Sequence, residues 1–210
     1  MLIDLHTHTK PKSDDSFLSP SELIVQAKKA GLDGICLTEH DWFWSPEDLK
    51  NLSKAFNYLI IPGVEINTDD GHFIVFGIDA YEFGMHRTAF LRDVVDAGGG
   101  FMIFAHPYRR NFSVDDDIDE AVERCCRKSV LQYVDTIEIL NGQGKEKQNE
   151  FSKRLAYRLG WKGVGGSDAH ELKDIPSYAT RFERRIGNRE ELIRELKAGR
   201  YRAVTVKGKD

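Results

Sequence analysis

The sequence predicts a parallel α/β fold, with residues 1–210 forming a single domain. Three observations carry that prediction. Short apolar runs alternate with longer segments of helical spacing, the pattern of βαβ units. Helical segments open on proline-first start signals at Ser19-Pro20 and Ser45-Pro46. The apolar runs end repeatedly on histidine or a carboxylate, and in parallel α/β folds the carboxyl rim of the sheet is where sites are built.

Taken in order, the first run is Leu2-Ile3-Asp4-Leu5, ending in His6-Thr7-His8. A strand places residues i and i+2 on one face, so two imidazoles spaced this way can grip one metal ion. The plainer reading is a strand end with solvated histidines. Thr9 to Leu18 is a polar loop carrying Lys10, Lys12, Asp14 and Asp15, long enough to fold back over a strand end. Ser19-Pro20-Ser21-Glu22 is a capping box, and Leu23, Ile24, Ala27 and Ala30 supply the apolar stripe of a helix that Gly31 ends.

Gly34 to Thr38 reads as a buried strand delivering Glu39-His40-Asp41, and the next helix starts at Ser45-Pro46 with Leu49, Leu52 and Phe56 inward. Leu59 to Ile66 is a third strand that tolerates Pro62 at its start or at an irregularity and carries Glu65 near its end. Asp69-Asp70-Gly71 is a tight reversal, so His72 to Ile78 runs antiparallel and returns His72 to the rim that holds Glu65. A helix over His86 to Ala97 precedes the strand Phe101 to Ala105, which ends in His106-Pro107; the proline is expected to hold His106 extended.

Asp115 to Asp117 opens a helix through about Val130. A strand over Val134 to Ile139, a polar helix from Lys145 to Leu159 and a short strand at Gly163 to Gly166 follow, the last ending in Ser167-Asp168-Ala169-His170. Tyr178 to Phe182 reads as a strand, Asn188-Arg189-Glu190-Glu191 caps a final helix to Ala198, and Arg202 to Val206 closes the sheet.

Composition limits the function. Net charge is −4 with no basic run, which argues against a generic grip on a nucleic-acid backbone while leaving room for a locally positive pocket. There is no apolar run of membrane-spanning length and no charged-then-apolar leader, so a cytoplasmic protein without a membrane partner is expected. Cys36, Cys125 and Cys126, odd in number with two adjacent, read as packing residues in a reducing compartment.

The strand ends collect His6, His8, His40, Glu65, His72, His106, Asp168 and His170, with Asp15 or Asp14 from the first loop. Six of the seven histidines are therefore at rims. Neutral imidazoles bind zinc, iron or manganese, and a carboxylate such as Glu65 can bridge two ions and offset their repulsion. Three divalent ions on six neutral histidines and three carboxylates, with a hydroxide, would leave about two positive charges, which matches a phosphate monoester dianion.

These motifs resemble the polymerase and histidinol phosphatase (PHP) family of metal-dependent phosphoesterases. Asp4-Leu5-His6-Thr7-His8 is similar to its first motif, Thr38-Glu39-His40 to its second, Ala105-His106-Pro107 to its third and Gly166-Ser167-Asp168-Ala169-His170 to its fourth. The resemblance implies a distorted (β/α)7 TIM-like barrel and two or three divalent ions. His6, His8, Glu65 and Asp168 would hold the first, Glu65, His72 and His106 the second, and Asp15, His40 and His170 the third, with a bridging hydroxide as nucleophile. The second motif departs from the family's frequent Thr-Asp-His, at a position that is similar to a supporting residue. Asp15 is preferred over Asp14 because Asp15-Ser16 followed by Ser19-Pro20 resembles a recurrent family pattern.

Other residues carry paired readings. Asp4, Glu39 and Glu138 either orient imidazoles or satisfy backbone. Arg109 or Lys10 could hold phosphate, against the plain alternative of solvated surface cations, and Arg110 and Arg181 less so. Trp42, Phe43 and Trp44 could wall a pocket or cap the core. His86 is structural, and Gly98 to Gly100 is a turn rather than a phosphate loop. The function expected is hydrolysis of a small phosphate monoester, of nucleotide or amino-alcohol type. The alternatives are an exonuclease on nucleic-acid ends, a non-catalytic metal-binding module and a metal-dependent amidohydrolase.

Overall fold

The structure, a computed structural model, describes residues 1–175 and 177–206; residues 207–210 of the expected domain lie outside the described residues. The strands are β1 (Leu2–Asp4), β2 (Gly34–Leu37), β3 (Leu59–Pro62), β4 (Val64–Thr68), β5 (Gly71–Phe76), β6 (Phe101–Phe104), β7 (Thr136–Asn141), β8 (Val164–Gly166), β9 (Tyr178–Phe182) and β10 (Tyr201–Thr205). The helices are α1 (Pro20–Lys29), α2 (Pro46–Phe56), α3 (Thr88–Ala97), α4 (Ile118–Cys126), α5 (Glu146–Leu159) and α6 (Arg189–Lys197).

The capping signals act as read. Ser19 Oγ accepts from the Glu22 amide at 3.2 Å while the Glu22 carboxylate accepts from the Ser19 amide at 2.8 Å, closing the box that starts α1. Ser45 and Asn188 accept in the same way from Asp48 and Glu191 at the starts of α2 and α6. Asp117 caps α4, which ends at Cys126 rather than near Val130, and Ser129–Tyr133 forms a separate 3-10 turn. Cys36 and Cys125 are buried and all three thiols are free.

The strands form two mixed five-stranded sheets, ordered β10-β9-β1-β2-β3 and β4-β5-β6-β7-β8. β1, β2 and β3 pair in parallel, as do β6, β7 and β8, whereas β9, β10 and the β4-β5-β6 meander pair antiparallel. A (β/α)7 barrel would need one closed ladder; the named strands give two open sheets. The sheets meet at one end through two isolated parallel bridges, His40 beyond β2 with Glu65 near the start of β4, and Thr7 beyond β1 with Ala169 beyond β8.

The expected third strand, Leu59 to Ile66, is two strands in different sheets. The chain breaks at Gly63, where a Cβ would lie 2.6 Å from the Phe76 ring, so only glycine lets the backbone cross so close to the core. Between the sheets, Ile3, Leu5, Cys36 and Ile61 pack against Ile74, Phe76, Ile103 and Val164. This interior is apolar up to the tips, where it gives way abruptly to histidines and carboxylates.

Candidate metal centre

The carboxyl tips converge on one buried cluster. β1 runs out into His6 and His8, both fully buried, and β8 into Asp168 and His170. The Asn67↔His72 register of the β4-β5 hairpin sets His72 Nδ1 3.1 Å from Glu65 Oε1, the proximity expected from the Asp69-Asp70-Gly71 reversal. His106 Nε2 lies 2.8 Å from the same oxygen. Glu65 Oε2 is 3.3 Å from His6 Nε2, 3.2 Å from His8 Nε2 and 3.1 Å from His40 Nδ1, so this one carboxylate faces five imidazoles. Asp168 Oδ1 lies 3.4 Å from both His6 Nε2 and His8 Nε2. Both loop aspartates are exposed, and it is Asp15 whose Oδ2 lies 3.3 Å from His40 Nε2 and 3.2 Å from His170 Nε2.

His106 is not extended. Its φ and ψ are 28° and 62°, and Asp168 likewise has φ 52°. Two non-glycine residues in sparsely allowed backbone at one cluster cost on the order of 1–3 kcal/mol each and persist only where surroundings over-determine them. At His106 the determinants are the Glu138 carboxylate, which accepts from its amide at 2.9 Å, and Glu65, which faces its ring.

The charges in the cluster are strongly coupled. Burial alone would raise the Glu65 and Asp168 carboxyls, yet the surrounding imidazoles, His6 foremost, hold both well below the usual carboxylate range. Burial opposes protonation of His8, but Asp168 and Glu65 push it up to about 9; His6 is raised for the same reason by Asp168, Glu138 and Glu65. Burial lowers His40 to about 4 and also lowers His106. His6 Nε2, His8 Nε2, His40 Nδ1, Glu65 Oε2 and Asp168 Oδ1 are buried and have no hydrogen-bond partner among the described residues. Such orphans are rare, and an ion that would satisfy them is one standard explanation. Four triads offer ligand atoms within 4.8 Å of one another: His6-His8-Glu65, His6-His106-Asp168, His8-His40-His170 and His40-Glu65-His72. This nitrogen and carboxylate donor set fits zinc, manganese or iron. The triads overlap the expected three-ion partition without reproducing it.

Surrounding groups fix the rings. Glu138 Oε1 lies 3.1 Å from His6 Nδ1, which directs His6 Nε2 toward the cluster. Ser13 Oγ donates to Glu39 Oε2 at 2.7 Å and lies 3.3 Å from His8 Nδ1, forming a relay that holds His8 in the same tautomer. The Asp168 carbonyl lies 2.8 Å from His170 Nδ1. Of the three carboxylates flagged as orienting groups, Glu138 holds a ring directly and Glu39 does so through Ser13. Asp4 instead accepts from the amides of His6 and Ser167, and burial raises its carboxyl to about 6.

Sequence reading missed Ser13 and Asn141. Asn141 donates to Glu138 at 2.9 Å and to Asp168 Oδ2 at 3.1 Å, with its own oxygen held by the Tyr108 hydroxyl. The only signal was its place at a strand's end. Arg109 donates to Asp168 Oδ2 at 2.6 Å and lines a mouth cavity of about 280 Å³ with Asp15, Gln143, His170, Glu171, Lys173 and Asp174. Lys10 is exposed, and its charge lowers the Glu22 carboxyl after the larger effect of Ser19. Arg110 is tied to the carbonyls of Thr68 and Asp69, and Arg181 is exposed on β9. Trp44 donates to Glu39, Phe43 packs on the core and Trp42 carries Lys12 over its ring at 4.2 Å. His86 is exposed beside Phe83.

Known proteins are similar to this chain in sequence and in fold. The PHP domain family matches residues 4–143 and the PHP-associated family residues 146–201. An uncharacterized protein of Methanocaldococcus jannaschii is 30% identical over 118 residues, 51% of this chain and 68% of that protein. The PolC-type DNA polymerase III of Oceanobacillus iheyensis is 37% identical over 70 residues, 33% of this chain and 5% of the polymerase. A two-domain protein of Bacteroides vulgatus, containing a predicted PHP-like metal-dependent phosphoesterase, shares the fold with a TM-score of 0.69 and 19% identity, covering 98% of this chain and 65% of that one. No described helix is long and apolar enough to cross a membrane. With the PHP match running from Asp4 to Gln143, through three of the four histidine-bearing motifs and both strands of the Glu65–His72 hairpin, the chain belongs to the PHP domain family.

Proposed function

We propose that the protein is a phosphoesterase that uses divalent ions to hydrolyse a small phosphate monoester. The observation that carries this reading is the convergence of five buried, uncommitted donor atoms from His6, His8, His40, Glu65 and Asp168 beside a cavity that Arg109 lines. His6, His8, Glu65 and Asp168 would hold one ion, Glu65, His72 and His106 a second, and Asp15, His40 and His170 a third, within a distorted (β/α)7 barrel. When bound, divalent zinc, manganese or iron would activate water and neutralise phosphoryl oxygens.

The chain's own side chains bind and orient the substrate. Arg109 commits Nη2 to Asp168, and the rest of its planar fork is suited to a phosphoryl oxygen. Asn141 and Arg109 together occupy Asp168 Oδ2, which aims Oδ1 inward. The mouth cavity, at about 280 Å³, sits at the small end of ligand sites and favours a compact ester. Protein supplied with manganese, iron or zinc should release phosphate from a panel of small monoesters. Inactivity across all metals and esters overturns the reading.

A second reading, an exonuclease acting on nucleic-acid ends, is favoured by one observation, the match to 70 residues of a PolC-type DNA polymerase III. It predicts loss of labelled terminal nucleotides from an oligonucleotide, abolished by Asp168→Ala.

A further inference from the structure

We infer that a cavity adjoining the candidate centre through Arg109 binds a second anionic group of the substrate, so that the preferred esters carry another phosphate or a carboxylate. The inference rests on the phosphoesterase reading and adds a substrate class to it. This cavity, of about 440 Å³, is lined by Arg109, Arg110, Ser113, Asp116, Arg124 and Lys128, over a floor of buried Phe112 and Cys125. The Arg109 side chain lines both this cavity and the mouth of the histidine cluster, so a ligand can place one anion on each side of a single guanidinium.

The charge arithmetic favours an anion. Four cations face one carboxylate in the lining, and Arg109 is already paired with Asp168 at 2.6 Å, so four less two leaves two net positive charges on a chain whose total is −4. Among the described residues, carboxylates pair with Arg109, through Asp168, and with Arg124, through Asp116, and none pairs with Arg110 or Lys128. Arg110 donates to the Asp69 carbonyl at 2.7 Å and the Thr68 carbonyl at 3.4 Å, groups without net charge. Arg124 reaches Asp116 Oδ2 at 3.3 Å, an oxygen already accepting from the Ser113 amide at 2.9 Å. Lys128 forms no ion pair among the described residues. The four cations are exposed, yet they line one concavity together with buried Phe112 and Cys125, and low-dielectric walls there focus the potential. No basic run announces the site, because Arg109 and Arg110 come from the turn after β6 while Arg124 and Lys128 come from α4 and its exit.

Matched substrates test this. For the metal-supplied protein, kcat/KM on fructose 1,6-bisphosphate should exceed that on fructose 6-phosphate by about tenfold, carried in KM. Arg124→Ala and Lys128→Ala should each bring that ratio toward one, while Lys50→Ala, on α2 and lining neither cavity, keeps the wild-type ratio. The pair 3-phosphoglycerate and glycerol 3-phosphate reads whether a carboxylate serves as well as a phosphate. Equal kcat/KM for mono- and bisphosphate, or a ratio untouched by both variants, overturns the inference. If neither sugar phosphate is hydrolysed, the phosphatase reading fails for these esters and calorimetric titration with the same two compounds reads the cavity alone. Tighter bisphosphate binding that Lys128→Ala removes sustains it, and equal binding overturns it.

Discussion

Glu138 determines what His6 can do. One carboxylate oxygen faces His6 Nδ1 at 3.1 Å, and the other accepts from the His106 amide and the Asn141 side chain, each at 2.9 Å. Replacing it by glutamine keeps the volume and exchanges one acceptor for a donor, so the His6 tautomer and the His106 backbone lose a shared anchor. Glu138→Gln should lower divalent-metal affinity about 10- to 100-fold with little change in fold, read by competition with a chromogenic chelator; unchanged affinity would mean that packing alone holds the ring. Five of the six cluster histidines were legible in the sequence because each follows an apolar run that reads as a strand, and His72, which begins one, was legible through the reversal before it. Glu138 was legible only as a carboxylate of uncertain duty, since its partner lies 132 residues away. Ser13 and Asn141 were not legible at all: a hydroxyl or amide acquires such a role only from the tertiary neighbours placed around it. Arg109 tests the electrostatic side. Arg109→Ala frees Asp168 Oδ2 and removes the mouth's guanidinium, so kcat/KM on a monoester should fall by about 10²-fold or more, whereas Lys10→Ala, exposed and beside Glu22, should change it little.

At the scale of elements, the β4-β5 hairpin is the device that puts His72 beside Glu65. Its reversal was readable from Asp69-Asp70-Gly71, and the register Asn67↔His72 follows from that turn. Gly71 has φ 146°, and a Cβ there would meet the Phe104 ring at 2.8 Å, so an alanine is strained twice over. Gly71→Ala should destabilise the protein by about 1–3 kcal/mol in denaturant unfolding and weaken metal binding as well, because a shift of one register position moves His72 to the opposite face of the strand. By contrast, Ser19→Ala removes only the cap of α1, at a cost of about 1 kcal/mol, and should leave metal affinity alone. Comparing the two variants separates loss of stability from loss of site. The division of Leu59–Ile66 into β3 and β4 escaped sequence reading for a related reason. Pro62-Gly63 signals an irregularity in any strand, and only the Phe76 ring pressed against Gly63 shows that the chain leaves one sheet for another there.

For the whole molecule, the two sheets share an apolar interior, and among the described residues they touch through backbone bridges at His40↔Glu65 and Thr7↔Ala169, beside the histidine cluster. Ions held by side chains from both sheets would therefore clamp the structure, and their removal should be felt globally. At a free concentration 100-fold above Kd, one ion adds about 2.7 kcal/mol, which for a chain of this length shifts Tm by roughly 5–10 °C. The pH dependence has a definite sign. In the metal-free protein, Asp168 and Glu65 overcome the burial of His8 and raise it from 6.5 to about 9, and His6 is raised as well. Stabilisation by these protonated imidazoles is fully present below about pH 6.5 and is lost as pH rises toward 9. Metal ligation needs the same nitrogens bare, so it must displace those protons, and its apparent affinity increases over that interval. The Tm difference between metal-supplied and chelator-treated protein should consequently widen from pH 6.5 to pH 9 in thermal unfolding, with the chelated protein losing stability across the same range. A gap that stays constant or narrows would mean that His6 and His8 do not exchange protons for metal, and the candidate centre would lose its two most deeply buried ligands.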